Sequence, residues 1–472
     1  MMMRRFASLL VLLVAGCGGK SGTLTLQLVV SPGDDPFVDA AQVRFTVGNA
    51  KHVTTVPASM GHFSYKTAFQ PDNMPGTVTV DALDAQGNVV AHGQTPALTL
   101  TAVDQGPVAI WMGRPGRVAP APAALPSARA ELASAAILGL GVLYAGGRDS
   151  SGAVLADTAV YDVYTQGVIA TAAMQKPRAG GVAAPVSGVH AIVFGGATSA
   201  GFGTSSATDG TMELFDPTVG VGVWASLPVD PIGGRAYAAG TTLGSGSILV
   251  SGGVDMTGAA QPTAGLVNPS GAIKLTLIAS PMAAARVGHA VAPAHFPDGD
   301  GALLFGGLAP GSTGGAVAER LVGQTFSAYD VGTAENRINA TATTMPSGDI
   351  LVLGGKTRAG AVASGLVVSP TAPGASVSPL AGALSVAREG HTATLVGTEL
   401  LVCGGADAKG ALQASCDVLD AMTYGLKRTV PLATARRGQS AELLETHLVI
   451  LAGGFGADGA PLASIEIYTP GP

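Results

Sequence analysis

Asp349-Ile350-Leu351-Val352-Leu353-Gly354-Gly355 is a short apolar run closed by two glycines, and the same figure returns along the chain. Its glycine pairs stand at Gly146-Gly147, Gly195-Gly196, Gly252-Gly253, Gly306-Gly307, Gly354-Gly355, Gly404-Gly405 and Gly453-Gly454. Their mean spacing is about 51 residues, a period that marks one repeated supersecondary unit. The runs are too short for helices and are bounded by Gly or Asp, so they read as buried strands. A second marker keeps step with the first. Arg129, Arg178, Arg235, Arg286, Arg337, Arg388 and Arg436 precede the next glycine pair by 17, 17, 17, 20, 17, 16 and 17 residues. The one long interval contains Phe296-Pro297-Asp298-Gly299-Asp300-Gly301, which reads as a lengthened hairpin tip.

Further strands follow each pair. Glu213-Leu214-Phe215-Asp216-Pro217 and Ile465-Glu466-Ile467-Tyr468-Thr469-Pro470 alternate and end in turn residues, and Gly222-Val223-Trp224-Ala225-Ser226-Leu227 supplies a fourth strand. Four antiparallel strands repeated radially make a propeller blade, so seven units predict seven blades. The seventh unit stops at Pro472 after its third strand. Arg117-Val118-Ala119-Pro120 occupies the position of a fourth strand and is expected to complete the last blade.

Arg, then often Gly-His as in Arg286-Val287-Gly288-His289 and Arg388-Glu389-Gly390-His391, an apolar strand, Gly-Gly and an acidic-aromatic strand together resemble the Kelch repeat. The resemblance covers residues 117 to 472 and implies an all-β, seven-bladed Kelch-type β-propeller. It departs from the pattern in keeping the fourth-strand tryptophan only as Trp224, and the third-strand aromatic clearly only as Tyr161, Phe215 and Tyr468. In some Kelch propellers arginines at this register reach an acidic ligand. The seven arginines are therefore candidate ligand-binding residues, with satisfaction of carbonyls between blades as the competing role. Kelch propellers also include galactose oxidase, which makes a carbohydrate-active enzyme of that type the alternative function. Its copper centre has no residue-by-residue match here, so the chain is expected to be no enzyme and to hold no cofactor or metal. His289 and His391 recur in register, as a repeated structural position would.

Residues 18 to about 115 lack the glycine pairs. Runs at Thr23 to Val30, Gln42 to Val47, Phe63 to Phe69, Thr77 to Leu83 and Ala97 to Val103, separated by Gly, Pro, Asp and Asn, predict a small immunoglobulin-like β-sandwich over 23–115 ahead of a propeller over 116–472.

The address is written in the first residues. Arg4 and Arg5 precede an apolar run from Phe6 to Ala15 that is too short to span a bilayer, and Leu13-Val14-Ala15-Gly16-Cys17 resembles the lipobox of bacterial lipoproteins. The resemblance implies a signal peptide over 1–16, acylation of Cys17 at the head of a linker over 17–22, and, because Gly18 follows the cysteine, anchoring in the outer membrane. Cys403 and Cys416 would then lie outside the cytoplasm, where disulfides persist, and are expected to be bridged across a hairpin.

The remaining composition narrows partners. A formal net charge of −6 with no basic block removes the electrostatic footprint of a nucleic-acid binder. Asp298-Gly299-Asp300-Gly301 lacks the full ligand string of a calcium loop. The functional expectation is a lipid-anchored binding or scaffold module of the cell envelope, whose partner is a protein or a glycan.

Overall fold

The computed structural model describes residues 10–14, 23–48, 52–58, 66–67, 75–99, 107–199, 210–228, 231–308, 316–371, 376–380 and 382–471. Seven four-stranded antiparallel sheets form a ring. The innermost strands, Ala133–Ile137, Val182–Pro185, Ala239–Thr242, Ala290–Phe296, Thr341–Thr344, Thr392–Val396 and Ser440–Leu443, touch in sequence, and the last touches the first. The chain is thus a seven-bladed Kelch-type propeller preceded by a small immunoglobulin-like sandwich. The second strand of each blade is buried on both faces, as in Ile350–Leu353 and Val449–Ala452, because neighbouring blades cover it from either side. Seven sheets that cannot bury their own faces do so by stacking around an axis.

Arg117–Pro120 pairs antiparallel with Ile465–Thr469 and becomes the outermost strand of blade 7. The long hairpin of blade 4 pairs Ala290–Phe296 with Gly299–Phe305. Its aspartates bond to neighbouring side chains: Asp300 Oδ1 lies 2.6 Å from His295 Nδ1, and Asp298 accepts from Arg320 at 2.8 Å.

Cys403 and Cys416 are directly opposed on the second and third strands of blade 6 and are disulfide-bonded. The bridge closes a short loop of the denatured chain. Replacing both by valine is expected to lower stability by about 3 kcal/mol, read from denaturant unfolding against the oxidised parent.

The sandwich sets His52–Pro57, Gln42–Val47, Val78–Leu83 and Val89–Gln94 in one sheet, and Val108–Trp111, Thr23–Val29, Leu10–Val14 and Lys66–Thr67 in the other. Leu26, Val43, Phe45, Val80 and Ile110 fill the space between them. Four of these strands, Leu10–Val14, His52–Pro57, Val89–Gln94 and Val108–Trp111, are not expected from the sequence. Of the run Phe63 to Phe69 only Lys66–Thr67 is a described strand, and of Ala97 to Val103 only Leu98–Thr99. Part of the N-terminal apolar run, Leu10–Val14, pairs with Thr23–Val29. Cys17 lies outside the described residues.

The sandwich docks at one side of the ring. Ala109 N–H donates to Tyr164 O at 2.7 Å, Trp111 Nε1 to Thr469 Oγ1 at 3.2 Å, and Gln94 Nε2 lies 2.9 Å from His447 Nδ1. Tyr164 and His447 belong to hairpins joining strands three and four of blade 1 and strands one and two of blade 7. In an antiparallel blade these hairpins share one face, and the glycine-pair loops open on the other. The glycine-pair face is therefore turned away from the sandwich.

Candidate functional site

Each registered arginine is folded into its own blade. Its Nη1 donates to the carbonyl of the first glycine of the pair and to the carbonyl at the entry to the third strand. Arg178 reaches Gly195 O and Thr211 O at 2.9 and 3.0 Å, Arg388 reaches Gly404 O and Ser415 O at 2.9 Å each, and Arg129, Arg235, Arg286, Arg337 and Arg436 repeat the pattern. The arginine carbonyl in turn accepts from the second glycine of the preceding blade, as from Gly307 N to Arg337 O at 2.8 Å. Gly454 N to Arg129 O, 3.0 Å, closes the circle. Both glycines of a pair are left-handed, and a Cβ on Gly306 would lie 2.0 Å from Arg337 O. No other residue fits there.

Of the two roles open to Arg129, Arg178, Arg235, Arg286, Arg337, Arg388 and Arg436, ligand contact or satisfaction of carbonyls, the hydrogen bonds show each serving carbonyls of its own blade. All seven are buried, the most exposed at 7%, because the carbonyls freed where the strand turns need donors that water cannot supply. In blades 2, 4, 6 and 7 a carboxylate on the third strand, Glu213, Glu319, Asp417 or Glu466, adds an ion pair.

His289 and His391 are likewise structural. Each wedges between blades, with Nε2 at 2.9 Å from Ser251 Oγ and 3.1 Å from Thr341 Oγ1 respectively. Burial, seconded by the adjacent arginine, lowers both imidazoles to a pKa of about 3. Gln439 takes the same place in blade 7, donating to Cys403 O at 2.8 Å.

What the mouth does display comes from positions the sequence reading passed over. The residue two after each registered arginine is left-handed throughout: Gly180, Gly288, Gly390 and Gly438, but also Glu131, Tyr237 and Asn339, with φ of 55°, 56° and 54°. These positions bond to one another across blades, Gly180 N to Glu131 O and Tyr237 N to Gly180 O at 2.7 Å, Gly390 N to Asn339 O at 3.0 Å. Equivalent atoms of neighbouring blades come so close only near the axis, so this ring outlines the central mouth.

Around it stand the residues that follow the glycine pairs. Arg148, fully buried, donates from Nε to Glu131 Oε2 at 2.8 Å, and the Tyr237 hydroxyl donates to the same oxygen at 2.9 Å. Burial and the Glu131 charge push the Tyr237 phenol upward, which keeps it a donor. Across the mouth, exposed Lys356 lies 3.6 Å from Glu389. Arg437 is exposed over the Phe455 ring, 5.7 Å from its centre, and has no carboxylate within ion-pair distance among the described residues. The rim thus offers cations whose side chains reach solvent.

No protein-family model and no curated protein matches the sequence. Solved structures do. A fungal alcohol oxidase of the AA5 family, in complex with copper, aligns with a TM-score of 0.55 at 17% identity over 76% of each chain. The structure of YjhT aligns with a TM-score of 0.47 at 14% identity over 62% of this chain and 95% of that one. The fold is that of the Kelch and galactose-oxidase propellers.

The expectation that the chain is no enzyme is corrected by the same finding. An architecture shared with a copper alcohol oxidase carries catalysis as well as binding, so absence of a familiar motif does not exclude an enzyme of this fold. At this identity the likeness shows the fold alone. Among the described residues no three His, Cys, Asp or Glu side chains gather at metal-ligand distance, and His289 and His391 are separately enclosed between blades.

Proposed function

We propose that the chain is an outer-membrane lipoprotein that binds an acidic protein or glycan surface at the central mouth of its propeller. The observation that carries this reading is the trio Glu131, Tyr237 and Asn339, which hold a left-handed backbone where four other blades use glycine. Side chains kept at conformationally costly positions around one opening point to use of those side chains. Exposed Lys356 and Arg437 on the same rim supply the charge to meet carboxylates or sulfates. The sandwich supports the arrangement as a stalk, since it contacts the face opposite the glycine-pair loops and leaves the mouth uncovered.

Two arms test the proposal. Cys17→Ala is expected to abolish incorporation of labelled palmitate and to shift the protein from the membrane to the soluble fraction. Sulfated and carboxylated glycan arrays, with acidic envelope proteins, are expected to retain the wild-type propeller. They should lose at least about tenfold in affinity for Lys356→Ala/Arg437→Ala, whose surface changes leave stability within about 0.5 kcal/mol. Equal retention of both forms would refute the mouth as the binding face.

A further inference from the structure

A cavity of about 690 Å³ opens beside the third and fourth strands of blade 5, at the periphery and apart from the central mouth. Its lining includes Arg337, Leu366, Val377 and Pro379, with Asp330 and Glu335 from the segment joining blades 4 and 5. Arg337 is 7% exposed, and its Nε has no hydrogen-bond acceptor.

Comparison among blades shows what is missing. The carboxylates that pair with Arg178, Arg286, Arg388 and Arg436 all stand two residues after the carbonyl that accepts from Nη1. In blades 1, 3 and 5 that place holds Ala159, Gly265 and Leu366. Blades 1 and 3 compensate from the preceding segment: Arg129 donates to Ser127 O at 3.4 Å and Ser127 Oγ at 2.7 Å, and Arg235 to Gly233 O at 3.3 Å. Blade 5 does neither. Arg388 also leaves Nε without an acceptor, but its Nη2 lies 3.4 Å from Asp417. A buried guanidinium is stabilised when a carboxylate supplies its remaining acceptors; here Nη2 reaches only Ser364 Oγ, at 3.1 Å, Glu335 acts on the charge through space, and the cavity adjoins the group.

We propose that this cavity binds a small amino-acid-like zwitterion, its carboxylate on Arg337 in the place of the absent third-strand acid. Exposed Asp330 and Glu335 then face the ammonium, and Leu366, Val377 and Pro379 receive an apolar side chain. The acids at the opening disfavour a simple anion and select a ligand that carries both charges.

Leucine, leucinamide, N-acetylleucine and acetate serve as probes of thermal stability and calorimetric binding on the whole protein. Leucine at millimolar concentration is expected to raise Tm, leucinamide and acetate to leave it unchanged, and N-acetylleucine to bind several-fold more weakly. Leu366→Glu restores the acid of the other blades and is expected to abolish the response to leucine. Should that variant fail to fold, Glu335→Gln, an exposed change, is expected to weaken leucine several-fold and to strengthen N-acetylleucine, which carries only the carboxylate. Equal responses to leucine and leucinamide, or an unaltered leucine response in a folded variant, would overturn the assignment.

Discussion

Arg286→Ala is expected to destabilise the propeller by about 3–5 kcal/mol, because it strands a carboxylate in a dry interior. Arg286 Nε and Nη2 donate to Glu319 Oε2 at 3.0 and 2.8 Å, and both residues are at most 1% exposed. Nη1 also serves Gly306 O and Val317 O, so two carbonyls lose their donor with the charge. Arg129→Ala is the informative comparison. It orphans the corresponding carbonyls of Gly146 and Asp157 but no third-strand acid, and should cost about 1–3 kcal/mol. The double change Arg286→Leu/Glu319→Leu should recover part of the loss, since an apolar pair removes the stranded charge while leaving the carbonyls short of donors. Denaturant unfolding of the four proteins measures the series. If Arg129→Ala proves as damaging as Arg286→Ala, the ion pair contributes little and the carbonyls carry the effect.

The ring was legible in the sequence because backbone geometry demands particular residues. Only glycine tolerates the left-handed pair pressed against the next blade, and only arginine spans two carbonyls from one buried side chain, so both markers recur whatever surrounds them. The third-strand acids recur too, but they keep register with the strand and not with the arginine. Loops of varying length separate Arg178 from Glu213 and Arg436 from Glu466, which hid the pairing and left the arginines readable either as ligand contacts or as internal donors. At the mouth, the departures from glycine at Glu131, Tyr237 and Asn339 were the available signal, and it became meaningful only once φ was known. Short strands of the sandwich such as Val108–Trp111 gave little alternation to detect, since Val108, Ala109, Ile110 and Trp111 are buried on both sides by the sandwich and the docked propeller.

The buried histidines should make stability depend steeply on pH below neutrality. His289 and His391 ordinarily titrate near 6.5, but in the folded chain burial, with Arg286 or Arg388 alongside, brings each to about 3. Between these values the unfolded chain takes up protons that the native one excludes. The native state therefore has its full advantage above pH 6.5 and loses it progressively as pH falls toward 3. One unit of pKa difference corresponds to about 1.4 kcal/mol, so the pair can contribute a slope approaching 3 kcal/mol per pH unit. Glu399 behaves differently. Burial alone would raise it, but hydrogen bonds from Arg428 and Tyr468 hold it at about 2, so its contribution fades only below its ordinary value of 4.5. Losses between pH 6.5 and 4.5 thus belong chiefly to the histidines. His289→Gln/His391→Gln copies Gln439, which fills the equivalent wedge in blade 7 without titrating. The variant should unfold with nearly the same denaturant midpoint at pH 5 as at pH 7, where the parent weakens by several kcal/mol. A parent already flat across that interval would mean that the imidazoles reach water, and that the blades at those two seams are packed less tightly than their burial indicates.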